Sequence, residues 1–325
     1  MERKGLVNKF KRVLQEIKRH NKFLIVSHVN PEGDAIGSQL AFLHLVKMLG
    51  KSGCMVNADG VPHRYSFMPG SKKIITHIGK NVKYDAVVFL DCADIKRIGS
   101  LSKVVDLSKP KINIDHHISN VNFGNVNLVD AKASSAAEIL YALFKYAKVK
   151  ISKNAAICLY TAILVDTGSF NYANVTFATH QAAAGLISAG INANEIYRKV
   201  YEDVPVATTR LLAGVLSTLR LSSDNKIAWM YIDKTTLKKC KANLADEEDF
   251  VNFPRIIKGV EVAMLFTEVS PGKIKISFRS NYNVDVNKIA SCFGGGGHKK
   301  ASGCVINSSM KEAQQKVISE VKKHV

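Results

Sequence analysis

Three short apolar segments of this sequence each lead to a histidine or an aspartate, and this feature constrains the fold most strongly. The segments and the polar residues that follow them are 23–26 with His28, 86–90 with Asp91, and 111–114 with Asp115. Apolar runs of this length that alternate with helical patterns are typical of buried strands in a parallel sheet covered by helices. Because ligands bind outside the carboxyl ends of such strands, we expect the three side chains to meet at one edge of the sheet.

More carboxylates and imidazoles lie close to the same strand ends. Glu32 and Asp34 follow the first strand, His116 and His117 follow the third, and Asp166 ends an apolar helical segment. Buried carboxylates repel one another unless a cation or a proton intervenes. Nitrogen and oxygen ligands without thiolates suit Mn²⁺, Mg²⁺, Co²⁺ or Fe²⁺ better than structural zinc. The set is too large for one ion and predicts two, which would activate water and hold a phosphate in line for attack.

The length of the chain and a change in its pattern predict two domains. A chain of 325 residues is longer than most single domains. We expect an α/β domain with a parallel sheet over residues 1–187, a helical linker over 188–208, and a smaller α+β domain over 209–325. In the last of these, residues 273–278 alternate polar and apolar side chains, as a half-exposed strand does.

The charge and the cysteines indicate the class of partner and the compartment. The chain has 46 Lys and Arg against 27 Asp and Glu, a net charge of +19. This excess favours nucleic acid, nucleotides or an anionic membrane as partners, although a lysine-rich source genome explains it equally well. The six cysteines form no Cys-x-x-Cys pair, and no apolar segment is long enough to span a membrane. We therefore expect a cytoplasmic protein that does not associate with membranes.

The polar motifs, taken in order along the chain, resemble those of the DHH phosphoesterases. The four catalytic-domain motifs are residues 28–38, Asp91, residues 115–117 and residues 166–168, and the glycine-rich signature of the DHH-associated domain corresponds to residues 278–280 and 294–303. The similarity covers nearly the whole chain and is greatest to the compact nanoRNase and pAp phosphatase group. It implies a parallel-sheet DHH domain, then a smaller α+β DHH-associated domain, with the active site in the cleft between them.

The resemblance also implies a role for each residue of the first domain. The implied ligands of one metal ion are His28, Glu32 and Asp91, and those of the other ion are Asp34, Asp91, His116 and Asp166. Asp91 would bridge two divalent ions, with Mn²⁺ as the expected metal. His117 would face the scissile phosphate as a hydrogen-bond donor or acid, and Asp115 would orient an imidazole. The family normally has aspartate at the position of Glu32, so this ligand departs from the pattern.

The glycine-rich run of the second domain is expected to bind the nucleotide. Glycines let the backbone approach an anion closely and present N–H groups to it, and an arginine fork suits phosphate. Besides His117, the expected substrate-binding residues are Arg279, Ser280, Gly295, Gly296, Gly297 and His298. A clamp on one end of the nucleotide would restrict the enzyme to short substrates.

The leading hypothesis for function is hydrolysis of very short oligoribonucleotides and of the 3′-phosphate of adenosine 3′,5′-bisphosphate (pAp) by a two-metal mechanism. A phosphodiesterase for cyclic di-AMP or its linear product pApA is the alternative within the same chemistry. Manganese pyrophosphatases and processive exonucleases for single-stranded DNA rank lower, because the former lack the glycine-histidine signature and the latter need an extra domain. The rival from another class is a non-catalytic RNA-binding protein. A homodimer is a further expectation that the sequence leaves open.

Overall fold

The computed structural model describes residues 2–79, 82–247 and 250–325 of the chain. It consists of two compact units, and the second begins at Val204. Each unit has its own β-sheet and its own hydrophobic core. Among the described residues, no helix combines the length and the apolar character needed to cross a membrane.

The first unit contains a six-stranded sheet in which all the recorded strand pairs are parallel, as the sequence predicts. Its strands are β1 (Lys22–Val26), β2 (Ser52–Val56), β3 (Ile74–Ile75), β4 (Ala86–Leu90), β5 (Lys111–Asp115) and β6 (Val126–Val129). They lie in the order β3-β2-β1-β4-β5-β6. The sequence did not predict β3 and β6, because the first has two residues and the second is short and half-exposed.

Helices cover one face of this sheet. They are α1 (Glu2–Arg19), α2 (Gly33–Met48), α3 (Ala136–Tyr146), α4 (Lys153–Asp166), α5 (Phe177–Ile187) and α6 (Ala193–Tyr201), and each contributes to one continuous core. Helix α2 is buried on nearly all sides, because it packs against α3, α4 and the sheet. Gly37 permits the close approach to α4, since a Cβ there would lie 2.4 Å from the carbonyl oxygen of Cys158.

The opposite face of the sheet is covered as well, by tight turns and, among the described residues, not by α-helices. Leu24 and Phe89 point into a smaller core there, and they pack against Ile98 and Leu101 from a segment of tight 3₁₀ turns. Both faces are therefore buried, as a parallel sheet requires. Helix α6 falls within the segment 188–208 that we expected to be a linker, yet its Ile196 and Val200 join the helical core of the first unit.

The second unit has a mixed six-stranded sheet with helices, the α+β arrangement that the sequence predicts. Its strands are β7 (Arg220–Leu221), β8 (Ile227–Ile232), β9 (Val262–Ser270), β10 (Lys273–Ser280), β11 (Gly296–His298) and β12 (Ala301–Asn307), in the order β11-β12-β10-β9-β8-β7. Its helices are α7 (Val206–Leu216), α8 (Lys234–Cys240), α9 (Asn252–Arg255), α10 (Val286–Ser291) and α11 (Met310–Val321). Strands β8 and β9 are parallel, and the other pairs are antiparallel. Pro271 and Gly272 form the predicted turn between β9 and β10, where Gly272 has a φ of +70°.

Candidate metal centre

The strand order of the first sheet brings the predicted ligands together. Strands β1 and β4 are neighbours in space although β2 and β3 lie between them in sequence, so the order reverses at this point. Open α/β sheets bind ligands at such a switch point, outside the carboxyl ends of the strands. His28 lies two residues after β1, Asp91 directly follows β4, and Asp115 is the last residue of β5. The predicted meeting of these residues at one edge is confirmed by the contacts that follow.

Asp91 lies at the centre of the cluster. Its Oδ2 is 3.3 Å from Nε2 of His28, and its Oδ1 is 3.5 Å from Nε2 of His116 and 3.5 Å from Nδ1 of His117. Among the described residues, the buried Oδ1 atom has no hydrogen-bond partner. A buried acceptor in this state costs free energy, and a cation between the imidazoles would satisfy it. Asp91 also has a φ of +54°, a conformation that non-glycine residues rarely adopt outside functional sites and turns.

The cluster contains two overlapping groups of donor atoms. In each group, one donor atom of every member lies within 4.8 Å of the others; the first group is Asp91, His116 and His117, and the second is Asp34, His116 and Asp166. His116 belongs to both, since its Nε2 is also 3.4 Å from Oδ2 of Asp166. Imidazole nitrogens and carboxylate oxygens of this kind fit a divalent ion that prefers nitrogen and oxygen ligands.

Asp34 is fixed by the beginning of helix α3. The backbone N–H of Ala136 donates to Oδ2 of Asp34 at 2.6 Å, and that of Ala137 donates to Oδ1 at 3.0 Å. Ser38, one turn further along α2, donates its hydroxyl to the same Oδ1 at 2.9 Å. The first N–H groups of a helix have no partner within the helix and favour negative charge, so the α3 N-terminus orients this carboxylate.

The charges of the cluster are in conflict without a cation. Burial and the neighbouring charge of Asp91 raise the pKa of Asp34 to about 6. Burial also raises the pKa of Asp166 well above its usual value, and the charges of Asp34 and Asp91 add to this effect. Burial acts in the same direction on Asp91, but the adjacent imidazoles of His116 and His28 outweigh it and hold its pKa well below the usual value. The raised pKa values show that the ionised forms of Asp34 and Asp166 are destabilised, and a bound cation would relieve this.

His117 is oriented by a buried aspartate. Its Nδ1 is 2.7 Å from Oδ1 of Asp115, and Asn120 donates to the other oxygen of Asp115 at 2.5 Å. Burial raises the pKa of Asp115, but the hydrogen bond from His117 outweighs it and lowers the pKa overall. An ionised Asp115 can only accept this hydrogen bond, so the proton lies on Nδ1 of His117. Nε2 is then the ring nitrogen that does not contact Asp115. This is the orienting contact expected of Asp115.

Glu32 is placed differently from the other predicted ligands. It is exposed at the N-cap of α2, makes no side-chain capping bond, and belongs to neither group of donor atoms. Its charge nevertheless contributes to the raised pKa of Asp166, so its carboxylate lies near the cluster. A metal-binding role for Glu32 stays a prediction.

The expected substrate-binding residues of the second unit divide into two kinds. Ser280 is buried and donates its hydroxyl to the carbonyl of Val284 at 2.8 Å, which stabilises the loop after β10. At Gly295, a Cβ would lie 2.2 Å from the carbonyl oxygen of Gly303, so glycine is needed there for packing. Gly297 has the same requirement, since its φ is +149° and a Cβ would lie 2.6 Å from a backbone oxygen. Ser280 thus shapes the loop after β10, and the two glycines shape the hairpin of β11 and β12.

The remaining residues of that set are accessible to a ligand. Gly296 and His298 are exposed in strand β11, and a Cβ at Gly296 would meet no atom closer than 3.7 Å. Arg279 is partly buried in β10, where one guanidinium nitrogen donates to the carbonyl of Phe278 at 3.0 Å. A role in substrate binding stays a prediction for all the residues of this set.

Sequence reasoning missed residues that support the cluster. Asn120 holds Asp115, and the N-terminus of α3 holds Asp34. The pattern Ser135-x-x-Glu138 is a helix-start signal, and the sequence predicts a helix over about 135–146 that agrees with α3. No local signal could show that this helix begins beside Asp34, because the two are 102 residues apart.

Family comparisons agree with the order of the two domains. The DHH family N-terminal domain matches residues 22–163, and the DHHA1 domain matches residues 224–324. A bifunctional oligoribonuclease and PAP phosphatase NrnA of Thermus thermophilus is 30% identical over 93% of this chain and 89% of its own length. This chain belongs to the DHH family. DHH phosphoesterases are metal-dependent hydrolases, and the two donor groups around His116 could bind the metal.

Two further relatives indicate the breadth of this DHH family. An exopolyphosphatase-related protein of Bacteroides fragilis has a solved structure that superimposes with a TM-score of 0.92, at 32% identity over 97% of this chain and 96% of that chain. A cyclic-di-AMP phosphodiesterase PdeA of Listeria monocytogenes is 26% identical over 95% of this chain, which covers 48% of that protein. The same two-domain order therefore occurs in relatives named for different phosphate-containing substrates.

Proposed function

We propose that this DHH protein hydrolyses very short oligoribonucleotides and removes the 3′-phosphate of pAp, with two divalent ions and with Mn²⁺ as the preferred metal. The observation that carries the proposal is the position of Asp91, whose buried Oδ1 lies 3.5 Å from both His116 and His117 and has no hydrogen-bond partner among the described residues. The name of the Thermus thermophilus relative supports these substrates.

The residues of the cluster suit phosphoester hydrolysis. Two bound divalent ions would polarise the phosphate and lower the pKa of an attacking water molecule. Asp91 would contact both ions, and the N-terminus of α3 holds Asp34 in a fixed direction toward His116 and Asp166. His117, with its proton held on Nδ1 by Asp115, would use Nε2 toward the phosphate or the leaving oxygen.

The second unit would bind the nucleotide part of the substrate. Arg279 offers a planar fork for a phosphate, and His298 offers a ring for a base or a further donor. Gly296 is exposed and carries no side chain, so an anion would approach its backbone without hindrance. Binding of one end of the substrate would favour short substrates over long ones.

Cyclic di-AMP is the second candidate substrate, together with its product pApA. The support is the similarity to the Listeria monocytogenes phosphodiesterase, although this chain covers 48% of that protein. A cyclic substrate lacks the free ends that pAp and short RNA present. Relative rates on cyclic di-AMP and pApA, compared with those on pAp and a short RNA, therefore distinguish the two candidates.

The test is a comparison of four substrates with the purified full chain. Values of kcat/KM are measured on pAp, pApA, cyclic di-AMP and a three-nucleotide RNA, each with Mn²⁺, with Mg²⁺ and with EDTA. We expect turnover of pAp and the RNA that requires metal and is fastest with Mn²⁺. Turnover of cyclic di-AMP alone would refute the leading proposal and support the second. RNA binding that EDTA leaves intact, with no hydrolysis of any substrate, would instead support a non-catalytic binding protein.

We also propose that the protein acts in the cytoplasm, where its nucleotide substrates arise. All six cysteines are free thiols, which suits a reducing compartment. We propose in addition that the protein forms a homodimer. Light scattering on the purified chain measures the mass in solution and distinguishes a dimer from a monomer.

A further inference from the structure

We propose that Glu138 is a positioning residue for the metal centre, through hydrogen-bonded contacts that reach both Asp34 and Asp166. The inference extends the proposed function, since it concerns how the same ligands are held for metal binding. Glu138 is the third residue of α3, and it is buried. Its backbone N–H donates to the hydroxyl of Ser135 at 3.0 Å, as the third residue of a capped helix does.

The carboxylate of Glu138 accepts three hydrogen bonds on one oxygen. Its Oε2 accepts from the hydroxyl of Ser134 at 2.5 Å, from the backbone N–H of Ser134 at 3.2 Å, and from the hydroxyl of Thr179 at 2.8 Å. Within residues 2–79, 82–247 and 250–325, no cationic side chain forms an ion pair with Glu138. A buried carboxylate without a cation is costly unless several donors compensate it. Glu138 therefore fixes Ser134 and the beginning of α3 against helix α5.

The fixed segment contacts one carboxylate of the metal centre directly. Ser134 and Glu138 enclose the two residues whose N–H groups donate to Asp34, namely Ala136 and Ala137. If the segment moved, both N–H groups would lose their direction toward the carboxylate. The contacts of Glu138 with Ser134 and Thr179 therefore fix the first turn of α3, and this turn fixes the position of Asp34.

The same segment is connected through Asn174 to the backbone of Asp166, the residue that carries the second carboxylate. Its side-chain nitrogen donates to the carbonyl oxygen of Ser134 at 3.0 Å and to the carbonyl oxygen of Asp166 at 3.0 Å. Asp166 is followed by an unusual turn, in which Gly168, Ser169 and Phe170 all have positive φ values. Such a turn needs support from its surroundings, and Asn174 ties it to the segment that Glu138 holds.

The prediction is that loss of the Glu138 carboxylate weakens metal binding more than substrate binding. We expect Glu138→Ala to raise the Mn²⁺ concentration for half-saturation at least tenfold. The KM for pAp at saturating Mn²⁺ should change less than twofold, because no contact with the substrate is removed. Glu138→Gln retains an oxygen in the same place, and it should keep half-saturation within about threefold of the wild type.

The decisive measurement is Mn²⁺ binding to the full chain by isothermal titration calorimetry, with no substrate present. Glu312→Ala is the matched control, because Glu312 is also the third residue of a serine-capped helix but is exposed and accepts the Ser309 N–H. The control should leave Mn²⁺ affinity unchanged. Unchanged affinity in a folded Glu138→Ala variant would overturn the inference.

A second variant keeps the test informative if Glu138→Ala fails to fold. Asn174→Ala removes both bonds from the side-chain nitrogen of Asn174, and the residue is only partly buried. It should weaken Mn²⁺ binding with a folded circular dichroism spectrum, and unchanged affinity in this variant would refute the connection to Asp166. The proposed function fails separately, if the wild-type chain binds Mn²⁺ and hydrolyses none of the four substrates.

Discussion

The sequence predicts functional residues in two regions, the edge of the first sheet and the glycine-rich hairpin of the second unit. In the structure, the residues of these two regions differ in what they contact. At the sheet edge, the polar residues converge on Asp91, and burial together with the neighbouring carboxylates raises the pKa of Asp34 and of Asp166. In the hairpin of β11 and β12, Gly295 and Gly297 serve close backbone packing, and Gly296 and His298 are exposed.

The difference shows which kinds of sequence signal point to chemistry. A polar residue at the end of a buried parallel strand has its position fixed by the topology, so several such residues must converge. A run of glycines has no such constraint, because glycine is required equally by close packing and by ligand approach. Variants that affect either packing or ligand binding therefore show which of the two the selected residues serve in each region.

The largest effect is expected for Asp91→Asn at the sheet edge. The amide keeps the size of the side chain but loses the charge that Oδ1 and Oδ2 present to the imidazoles. We expect kcat/KM on pAp to fall on the order of 10³-fold or more, which corresponds to about 4 kcal/mol in the barrier. Steady-state kinetics with Mn²⁺, together with circular dichroism, measures the loss and verifies the fold.

Asp203→Asn is the control for this change, because Asp203 is an exposed aspartate of the same unit. It should retain the activity of the wild type. Turnover by Asp91→Asn within threefold of this control would contradict a bridging role for Asp91.

The second effect, in the hairpin, is expected to be on stability. In Gly295→Ala the new Cβ would lie 2.2 Å from a backbone oxygen and 2.5 Å from Cβ of Cys304, and neither can move away easily. We expect unfolding free energy to fall by about 2–4 kcal/mol. Denaturant unfolding followed by circular dichroism measures this change.

Gly296→Ala is the matched partner of that variant, one residue away in the same hairpin. Its Cβ would have no neighbour closer than 3.7 Å, so stability should change by less than about 0.5 kcal/mol. If backbone N–H groups bind substrate here, the KM for pAp should rise. Equal destabilisation by both substitutions would remove the distinction between packing and accessible glycines.

The comparison also explains how much of the molecule the sequence could predict. Strands β1, β4 and β5 were predictable because each is a continuous apolar run, and the residues after them gave the metal cluster. Strand β11 was not, because Gly-Gly-His has a low strand propensity and pairs only through its partner β12.

The supporting residues of the site were unpredictable for a related reason. Glu138 resembles an ordinary helix-capping residue in sequence, and its bond to Thr179 spans 41 residues. Asn120 follows Asp115 in a polar loop, where an asparagine usually forms a turn. Their roles come from tertiary proximity, which local patterns do not encode.

The third effect concerns substrate binding by Arg279 in strand β10, which pairs with β12 of the hairpin. Arg279→Lys keeps the positive charge but loses the planar fork that matches a phosphate. We expect the KM for pAp to rise about tenfold, equivalent to about 1.4 kcal/mol, with kcat within about threefold. An unchanged KM, with Mn²⁺ saturating, would indicate that Arg279 has only its bond to the carbonyl of Phe278.

The smallest effect is the change in stability expected for Asp166→Asn. This substitution should stabilise the metal-free protein but weaken its binding of metal. Burial raises the pKa of Asp166, and the charges of Asp34 and Asp91 raise it further. An acid whose pKa is higher in the folded state than in the unfolded state destabilises the fold at neutral pH, where the unfolded chain is fully ionised. The amide removes this repulsion, although it also weakens the 3.4 Å contact with His116. In EDTA we therefore expect a higher melting temperature, by a few degrees or about 1 kcal/mol.

The same variant should lose the response to metal that the wild type shows. A ligand that binds only the folded state stabilises it, so Mn²⁺ should raise the melting temperature of the wild type and of Asp203→Asn. It should raise that of Asp166→Asn much less, because one donor of the second group is lost. Differential scanning fluorimetry with EDTA and with a series of Mn²⁺ concentrations measures both changes. A lower melting temperature of Asp166→Asn in EDTA would mean that Asp166 stabilises the metal-free fold. The sheet edge would then resemble the hairpin, where Gly295 and Gly297 are needed for packing.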